Sequence, residues 1–422
     1  MKPSLAIIGS GIAGMGAAYY LRESFDLKMF EKNDYIGGHT NTVFVEQGSI
    51  SLPVDTGFMV FNTETYPNLC ALFDELGVES YPTSMSFGVR RDSLNTSFAC
   101  TNIWSFFAQK RRFLSIRHWR FLFGIKSFFE KAHSFLVKSE ISNPSLREFA
   151  DTHAINDEVI ENFLVPMAAS IWSTQPEAIM DYPARTLLTF MRNHRMLGYG
   201  VQFQWRTVKG GSEQYKQKLL ATLPCKVKTE RPVVGLSRDG EGVLVRDSLG
   251  KTEKFDYAIV ATHADQALEL LENPSENEQN LLGAFGYNRN KVILHSDESV
   301  MPRERAAWAS WNFKYSDADK IPHSSIHYWM NNLQQIDDDR NYFVSVDYKG
   351  KIENTQIHRE FAYEHPRYDK KAIDAQSRLG KLNESGPIYY CGSYFRYGFH
   401  EDALSSALDV VNSIKRESVV AI

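Results

Sequence analysis

The apolar run Leu5-Ala6-Ile7-Ile8 has no polar interruption, as in a strand buried on both faces. A glycine-rich turn follows it, then a small-residue helix from about Ala13 to Arg22 and a second strand, Leu27-Lys28-Met29-Phe30. Together they make a βαβ unit. Residues 100 to 200 carry mostly helical periodicity. Between 225 and 260 the pattern shortens to the strands Val233–Leu236, Val243–Val245 and Tyr257–Val260, with Asp239-Gly240 as a turn signal. Trp308 to Trp329 holds further extended, aromatic segments. Ile388-Tyr389-Tyr390-Cys391 makes a last strand. A helix from about Asp402 to Lys415 then places Leu404, Ala407, Leu408, Val411 and Ile414 at helical spacing.

The 422 residues suffice for two domains. Hydrophobic residues at 43% and charged residues at 23% are ordinary for a globular chain. A formal charge of -4 argues against nucleic acid as a partner. Cys70, Cys100, Cys225 and Cys391 are far apart, so neither a metal site nor a disulfide framework follows, and a reducing cytoplasm is expected. The N-terminus runs straight into a strand, without the pattern of a signal peptide. No apolar run is long enough to span a membrane.

Gly9-Ser10-Gly11-Ile12-Ala13-Gly14 spells G-x-G-x-x-G between an apolar strand and a helix, the context this pattern needs. Gly9 permits the tight turn, Gly11 lets backbone approach a diphosphate, and Gly14 lets the helix pack close to the sheet. The free N–H groups of that helix start, around Ile12 and Ala13, suit phosphate. Glu31, followed by Lys32, ends the second strand, where an acid accepts from ribose hydroxyls and repels a 2′-phosphate. These features fit FAD or NAD and disfavour NADP.

Gly37-Gly38-His39-Thr40-Asn41-Thr42 resembles the G-G-Arg-x-x-Thr stretch of the flavin amine oxidase and phytoene desaturase superfamily, with His39 in place of the arginine. Lys209-Gly210-Gly211 with Arg231-Pro232-Val233 is similar to the segment whose valine backbone meets adenine. Val260-Ala261-Thr262 resembles the strand end that returns to the cofactor. Gly392-Ser393 and Gly398-Phe399-His400-Glu401-Asp402-Ala403 resemble the C-terminal flavin motif, with Ser393 where an acid is usual. Pro53–Phe58, Trp172-Ser173-Thr174, Trp205–Gly211 and Ala307–Asn312 narrow the resemblance to a bacterial group of FAD-binding, amine-oxidase-like proteins. That group is often found beside cyclopropane-fatty-acid-synthase-like methyltransferases.

The resemblance implies a Rossmann-like α/β FAD-binding domain of the glutathione-reductase type, assigned to residues 1–85, 205–275 and 386–422. An interleaved substrate domain of helices and a mixed sheet takes residues 86–204 and 276–385. The implied cofactor is noncovalent FAD. The implied chemistry is hydride transfer from a substrate carbon to flavin N5, on an unsaturated or methylated acyl chain. A true amine oxidase, a polyene desaturase and a non-catalytic FAD-binding partner of a lipid methyltransferase stand as alternatives. Asp55, Thr56, Gly57 and Phe58 are expected against the flavin ring, although Phe58 reads equally as a core aromatic. Trp172, His194 and Trp311 are candidates for a pocket taking an apolar or lipid substrate, and His194 also reads as a solvated helix end. Glu401 and Asp402 read either as flavin neighbours or as plain N-capping acids. Lys291, in Asn290-Lys291-Val292-Ile293-Leu294, is similar to a family lysine that holds a water at flavin N5, with Arg289 as a competitor on its face. It is the one catalytic candidate.

Residues 103–138 carry eight bases, Lys110, Arg111, Arg112, Arg117, Arg120, Lys126, Lys131 and Lys138, against one acid, Glu130. Ten Trp and Phe residues interleave with them. This composition suits peripheral contact with an anionic membrane. It also suits a lid whose aromatics are core and whose bases are solvated.

Overall fold

The computed structural model describes residues 2–138, 143–198, 202–317, 323–384 and 386–420. A five-stranded parallel sheet carries the N-terminal unit. Its order is Val227–Lys228, Asp26–Phe30, Ser4–Ile8, Tyr257–Val260, Ile388–Tyr390. The strand Ser4–Ile8 sits in the middle, and Leu5, Ala6 and Ile7 are fully buried, which is why its sequence does not alternate. The first helix, Ile12–Leu21, packs so close to this sheet that a Cβ on Gly14 would lie 2.0 Å from the Gly9 carbonyl oxygen. A Cβ on Gly16 would likewise meet Leu404 of the last helix at 2.5 Å.

A seven-stranded mixed sheet forms the second layer system. Its order is Ile357–Arg367, Gly286–His295, Phe343–Val346, His323–Trp329, Trp311–Ser316, Phe87–Arg91, Thr96–Ala99. All its pairings are antiparallel except Trp311–Ser316 with Phe87–Arg91. The parallel strands all come from the three segments assigned above to the FAD-binding part, and the seven mixed strands all come from the other two. Residue 385, the assigned end of the second part, lies outside the described residues. Helices dominate between residues 103 and 193, the longest being Ile116–Val137.

Two sequence expectations change. The last helix starts at His400 rather than Asp402. The Asp402 carboxylate accepts from the Phe399 and Tyr397 N–H groups at 2.9 and 3.2 Å and so fixes an earlier start. In residues 103–138 most aromatics are not available to a surface: Phe106, Phe107, Phe121, Phe128, Phe129 and Phe135 are buried. Periodicity at 3.6 residues sorts them. Phe121, Ile125, Phe128, Ala132 and Phe135 lie on the inner face of the long helix, leaving Ile116, Arg120 and Phe123 on the outer one.

Asp55 ties three separate regions. Its carboxylate accepts from the Thr42 hydroxyl at 2.6 Å, from the Ser212 backbone N–H and hydroxyl at 2.9 and 2.8 Å, and from Gln334 Nε2 at 3.2 Å. Burial raises its pKa to about 6 against these favourable bonds. Asp55→Ala leaves several buried donors unpartnered at once. We expect a loss of about 2–4 kcal/mol in urea unfolding. A variant as stable as the parent would show that the bonds at Asp55 contribute little.

Candidate functional site

A cavity of about 790 Å³ runs from the first helix to the aromatic face of the helical region, within the upper range for a small-molecule site. One end is built by the βαβ unit. Gly9 has φ +99°, and a Cβ there would strike the Ala261 carbonyl oxygen at 2.5 Å. Gly11 caps the first helix with extended backbone and no side chain, so the unpaired N–H groups behind it face the cavity. A Cβ on Gly11 would meet no protein atom within 4 Å, because it would project into this open space.

Ser10, Ile12, Ala13, Glu31, Lys32, Val233, Ala261 and Thr262 line the same end. Glu31 is anchored by Ser10, whose N–H and hydroxyl donate to Oε2 at 3.0 and 2.6 Å, and by the Asn33 N–H at 2.9 Å to Oε1. The middle is lined by Gly37, Gly38, His39, Thr56, Gly57 and Phe58, with Gly392 and Ser393 from the loop before the last helix. Gly57 has no room for a side chain: its Cβ would lie 2.2 Å from the His39 carbonyl oxygen. Gly398, Phe399, His400 and Ala403 bring the N-terminus of the last helix to the cavity.

Histidines crowd this middle section. His39 has no hydrogen-bond partner at its buried Nε2. Its ring lies 5.3 Å from that of His365 and 4.9 Å from that of Tyr363. His400 stacks on Phe58 at 4.0 Å, and its Nε2 lies 2.7 Å from the Tyr215 hydroxyl. Desolvation, with the neighbouring histidines, holds the His39 pKa well below its usual value. Burial takes His365 down to about 4 and His400 to about 3. All three rings are therefore neutral at pH 7.

The other end is aromatic. Trp172, Phe190, His194, Trp205, Trp311, Tyr328, Tyr397 and Phe399 line it. Trp172 spends its indole N–H on the Tyr397 carbonyl at 3.0 Å. His194 lies 3.0 Å through Nδ1 from the Phe190 carbonyl, and its ring stacks on Phe190 at 4.0 Å.

The structure therefore brings most of the sequence candidates together, but leaves six of them, Gly14, Thr40, Asp55, Lys291, Glu401 and Asp402, outside the lining. Thr40 is one step back, hydrogen-bonded to Tyr215 and His400, and does not line the cavity. Asp55 faces Ser212 and Thr42 instead of a ligand, since its carboxylate is consumed by protein donors. Gly14 is a packing glycine. Lys291 is half-exposed, is paired with Glu360 at 2.8 Å and does not line the cavity. Arg289, not Lys291, reaches the cavity wall. Glu401 is also engaged elsewhere. It accepts from the Asn68 and Leu69 N–H groups at 3.0 and 2.9 Å and so caps a neighbouring helix.

Sequence reading missed Tyr363, Glu364 and His365, which line the cavity from the edge strand of the mixed sheet. The alternation Phe361, Tyr363, His365 was the available signal.

The group that these residues fit is FAD. The side-chain-free helix N-terminus suits a diphosphate, and the anchored Glu31 suits ribose hydroxyls. The orphaned His39 Nε2 needs a polar partner that protein does not provide.

Comparison with known proteins places this geometry. A family model described as flavin containing amine oxidoreductase matches residues 12–415. The chain is 37% identical over 86 residues to a probable polyamine oxidase 4 of Arabidopsis thaliana. That match covers 20% of this chain and 16% of that protein. Among solved structures, cyclohexylamine oxidase from Brevibacterium oxydans IH-35A superposes with a TM-score of 0.71 at 14% identity, over 99% of this chain and 100% of the other. The CLA-producing fatty acid isomerase from P. acnes does so with a TM-score of 0.66 at 12% identity, over 97% and 98%.

Two outcomes are expected. Gly11→Val should fold, because its Cβ meets nothing, but should bind FAD about 100-fold more weakly or worse, roughly 2.7 kcal/mol. Flavin absorbance after gel filtration, beside an unchanged circular dichroism spectrum, reads this directly. Retained flavin would mean the cavity end at Gly11 is not the diphosphate site.

The second outcome concerns pH. His39, His365 and His400 have folded pKa values below their unfolded ones, so the unfolded chain binds more protons between pH 6.5 and about 4. Their contribution to stability is present above pH 6.5 and is lost as pH falls through that window. Buried His295, at about 4, and His327 act in the same direction. Asp55 and Asp402, both raised to about 6, act in the opposite one. With His118, His194 and His358 also lowered, eight histidines outweigh two carboxylates, so the melting temperature should fall from pH 7 to pH 5. A flat or rising profile would contradict the neutral-histidine arrangement.

Proposed function

The chain belongs to the flavin containing amine oxidoreductase family, and from that premise we propose an FAD-dependent oxidoreductase acting on a neutral, apolar substrate, an unsaturated or methylated acyl chain. In this reading FAD is held noncovalently across the βαβ unit and the N-terminus of the last helix. Residues 1–85, 205–275 and 386–422 form the cofactor part, and the intervening segments form the substrate part. When bound, FAD supplies a two-electron acceptor that takes a hydride from a substrate carbon at N5. The chain's own residues hold, orient and dehydrate the reactants. The N-terminal dipole of the last helix favours negative charge gathering at its end of the cavity. The aromatic end excludes water.

The observation that carries the substrate class is the distribution of charge around the cavity. Its lining acids are Glu31, Glu269 and Glu364. Glu31 is bound to Ser10, and Glu364 pairs with His263 and Gln266. The aromatic end formed by Trp172, Phe190, His194, Trp205, Tyr397 and Phe399 offers no carboxylate to pair with an ammonium. Desolvation lowers the His194 pKa, which leaves a neutral ring there. A fatty acid isomerase among the proteins of this fold is in keeping with an acyl chain.

Amine oxidation is the second reading. The polyamine oxidase relative favours it, and aromatic faces alone can hold an ammonium through cation–π attraction.

An anaerobic screen separates the readings. Purified, FAD-loaded protein is mixed with fatty acyl, amine and polyene pools, and bleaching of the oxidised flavin band at about 450 nm is followed. Bleaching by acyl pools, with Trp172→Ala slowing it by about 10-fold or more, is the expected result. Bleaching by amines with peroxide release in air would replace the acyl reading. Bound FAD that no pool reduces would favour a non-catalytic, flavin-binding partner. In the same assay Lys291→Met should behave as the parent, since its side chain lies outside the cavity.

A further inference from the structure

Trp104, Leu114, Ile116 and Phe123 of the helical region are large apolar side chains that are 72%, 92%, 71% and 62% exposed. A chain of rings links Trp104 to Phe123. The ring of Trp104 lies 5.9 Å from Phe113, Phe113 lies 6.5 Å from Trp119, and Trp119 stacks on Phe123 at 6.3 Å. Ile116, Arg120 and Phe123 fall on one face of the helix Ile116–Val137, at i, i+4 and i+7. Trp104, in the short helix Ile103–Phe106, and Leu114, at the end of the turn Lys110–Leu114, come just before it in the chain.

Cations ring the patch. Arg117 pairs with Glu158 at 2.9 Å, and Arg112 bonds Gln109 at 3.2 Å, so those two are engaged with protein. Lys110, Arg120 and Lys126 have no ion-pair partner among the described residues, and all three are exposed. The stretch 103–138 has a net charge of +7 in a chain of -4, which leaves about -11 for the rest. An anionic plane would attract this face and repel the remainder, which fixes orientation.

We propose that this face docks peripherally on an anionic phospholipid bilayer. Trp104, Leu114, Ile116 and Phe123 enter the headgroup–acyl boundary. Lys110, Arg120 and Lys126 reach the phosphates from its margin with their stems along apolar surface. Charge alone would equally suit nucleic acid. Four large apolar side chains standing free among the charges favour a surface with hydrocarbon beneath its phosphates. No helix among the described residues is long and apolar enough to cross a membrane, so the contact is with one leaflet. The same helix joins the patch to the cavity. Near its far end His133 Nε2 donates to the Leu197 carbonyl at 2.8 Å, next to Met196 of the cavity lining.

The test uses the FAD-loaded full chain and does not depend on turnover. Cosedimentation is measured with vesicles of phosphatidylcholine alone and of phosphatidylcholine with phosphatidylglycerol, at about 50 and about 500 mM salt. Binding to the anionic vesicles at low salt, at least about 10-fold stronger than to neutral ones and weakened by salt, is expected. Lys110→Glu/Arg120→Glu/Lys126→Glu should lower it by about 10-fold or more. Trp104→Ser/Phe123→Ser should do the same with its charges intact. Flavin content and circular dichroism confirm that each variant is folded. Absent binding at low salt, equal binding to neutral vesicles, or variants that bind as the parent would overturn the proposal. So would preferential binding of a DNA oligomer, or a salt-sensitive dimer in gel filtration without vesicles.

Discussion

The close approach of the first helix to the parallel sheet sets the geometry of this molecule. Gly14 faces the Gly9 carbonyl at a distance no side chain tolerates, and Gly9 in turn abuts Ala261. That contact aims the helix N-terminus, with its unpaired N–H groups, at the cavity. The last helix then packs on the first, with Leu404 against Gly16, and its own N-terminus arrives at the cavity's middle. Two helix dipoles thus converge on one space. The first and last helices pack together beside a sheet whose central strand is buried at Leu5, Ala6 and Ile7.

In the middle of that space the protein keeps three histidines uncharged. His39, His365 and His400 are half-buried with no carboxylate beside them, so desolvation decides their state. Glu31 is tied to fixed donors on Ser10, and Glu364 to His263 and Gln266. A cavity lined this way has a low effective dielectric, where a fixed dipole acts more strongly than in water. At its aromatic end Trp172 and His194 each spend a ring nitrogen on a backbone carbonyl, which leaves their faces for an apolar ligand.

Charge is also distributed unevenly on the outside. The helical region carries the positive excess while the rest of the chain is acidic. The long helix Ile116–Val137 belongs to both environments: its inner face is core, and its outer face carries Phe123 and Arg120.

The sequence by itself determined the βαβ unit, its glycine positions, Glu31 at the second strand's end and the helix that closes the chain. Each is a local pattern, because strand, turn and helix are specified within a few residues of one another. It also singled out Trp172, His194 and Trp311, which the fold brings to one cavity from distant segments. Only the tertiary structure decided what lies opposite each side chain. Lys291 and Arg289 share one face of a strand, yet Arg289 reaches the cavity wall while Lys291, two residues along, pairs with Glu360. Asp55 and Glu401 are satisfied by donors 157 and 333 residues away in sequence, so no local pattern could reveal that they were already occupied. The ten aromatics of residues 103–138 look alike in a composition count. Helical periodicity and the packing of neighbouring helices buried six of them and left Trp104 and Phe123 in solvent, because burial is a property of what lies opposite a residue.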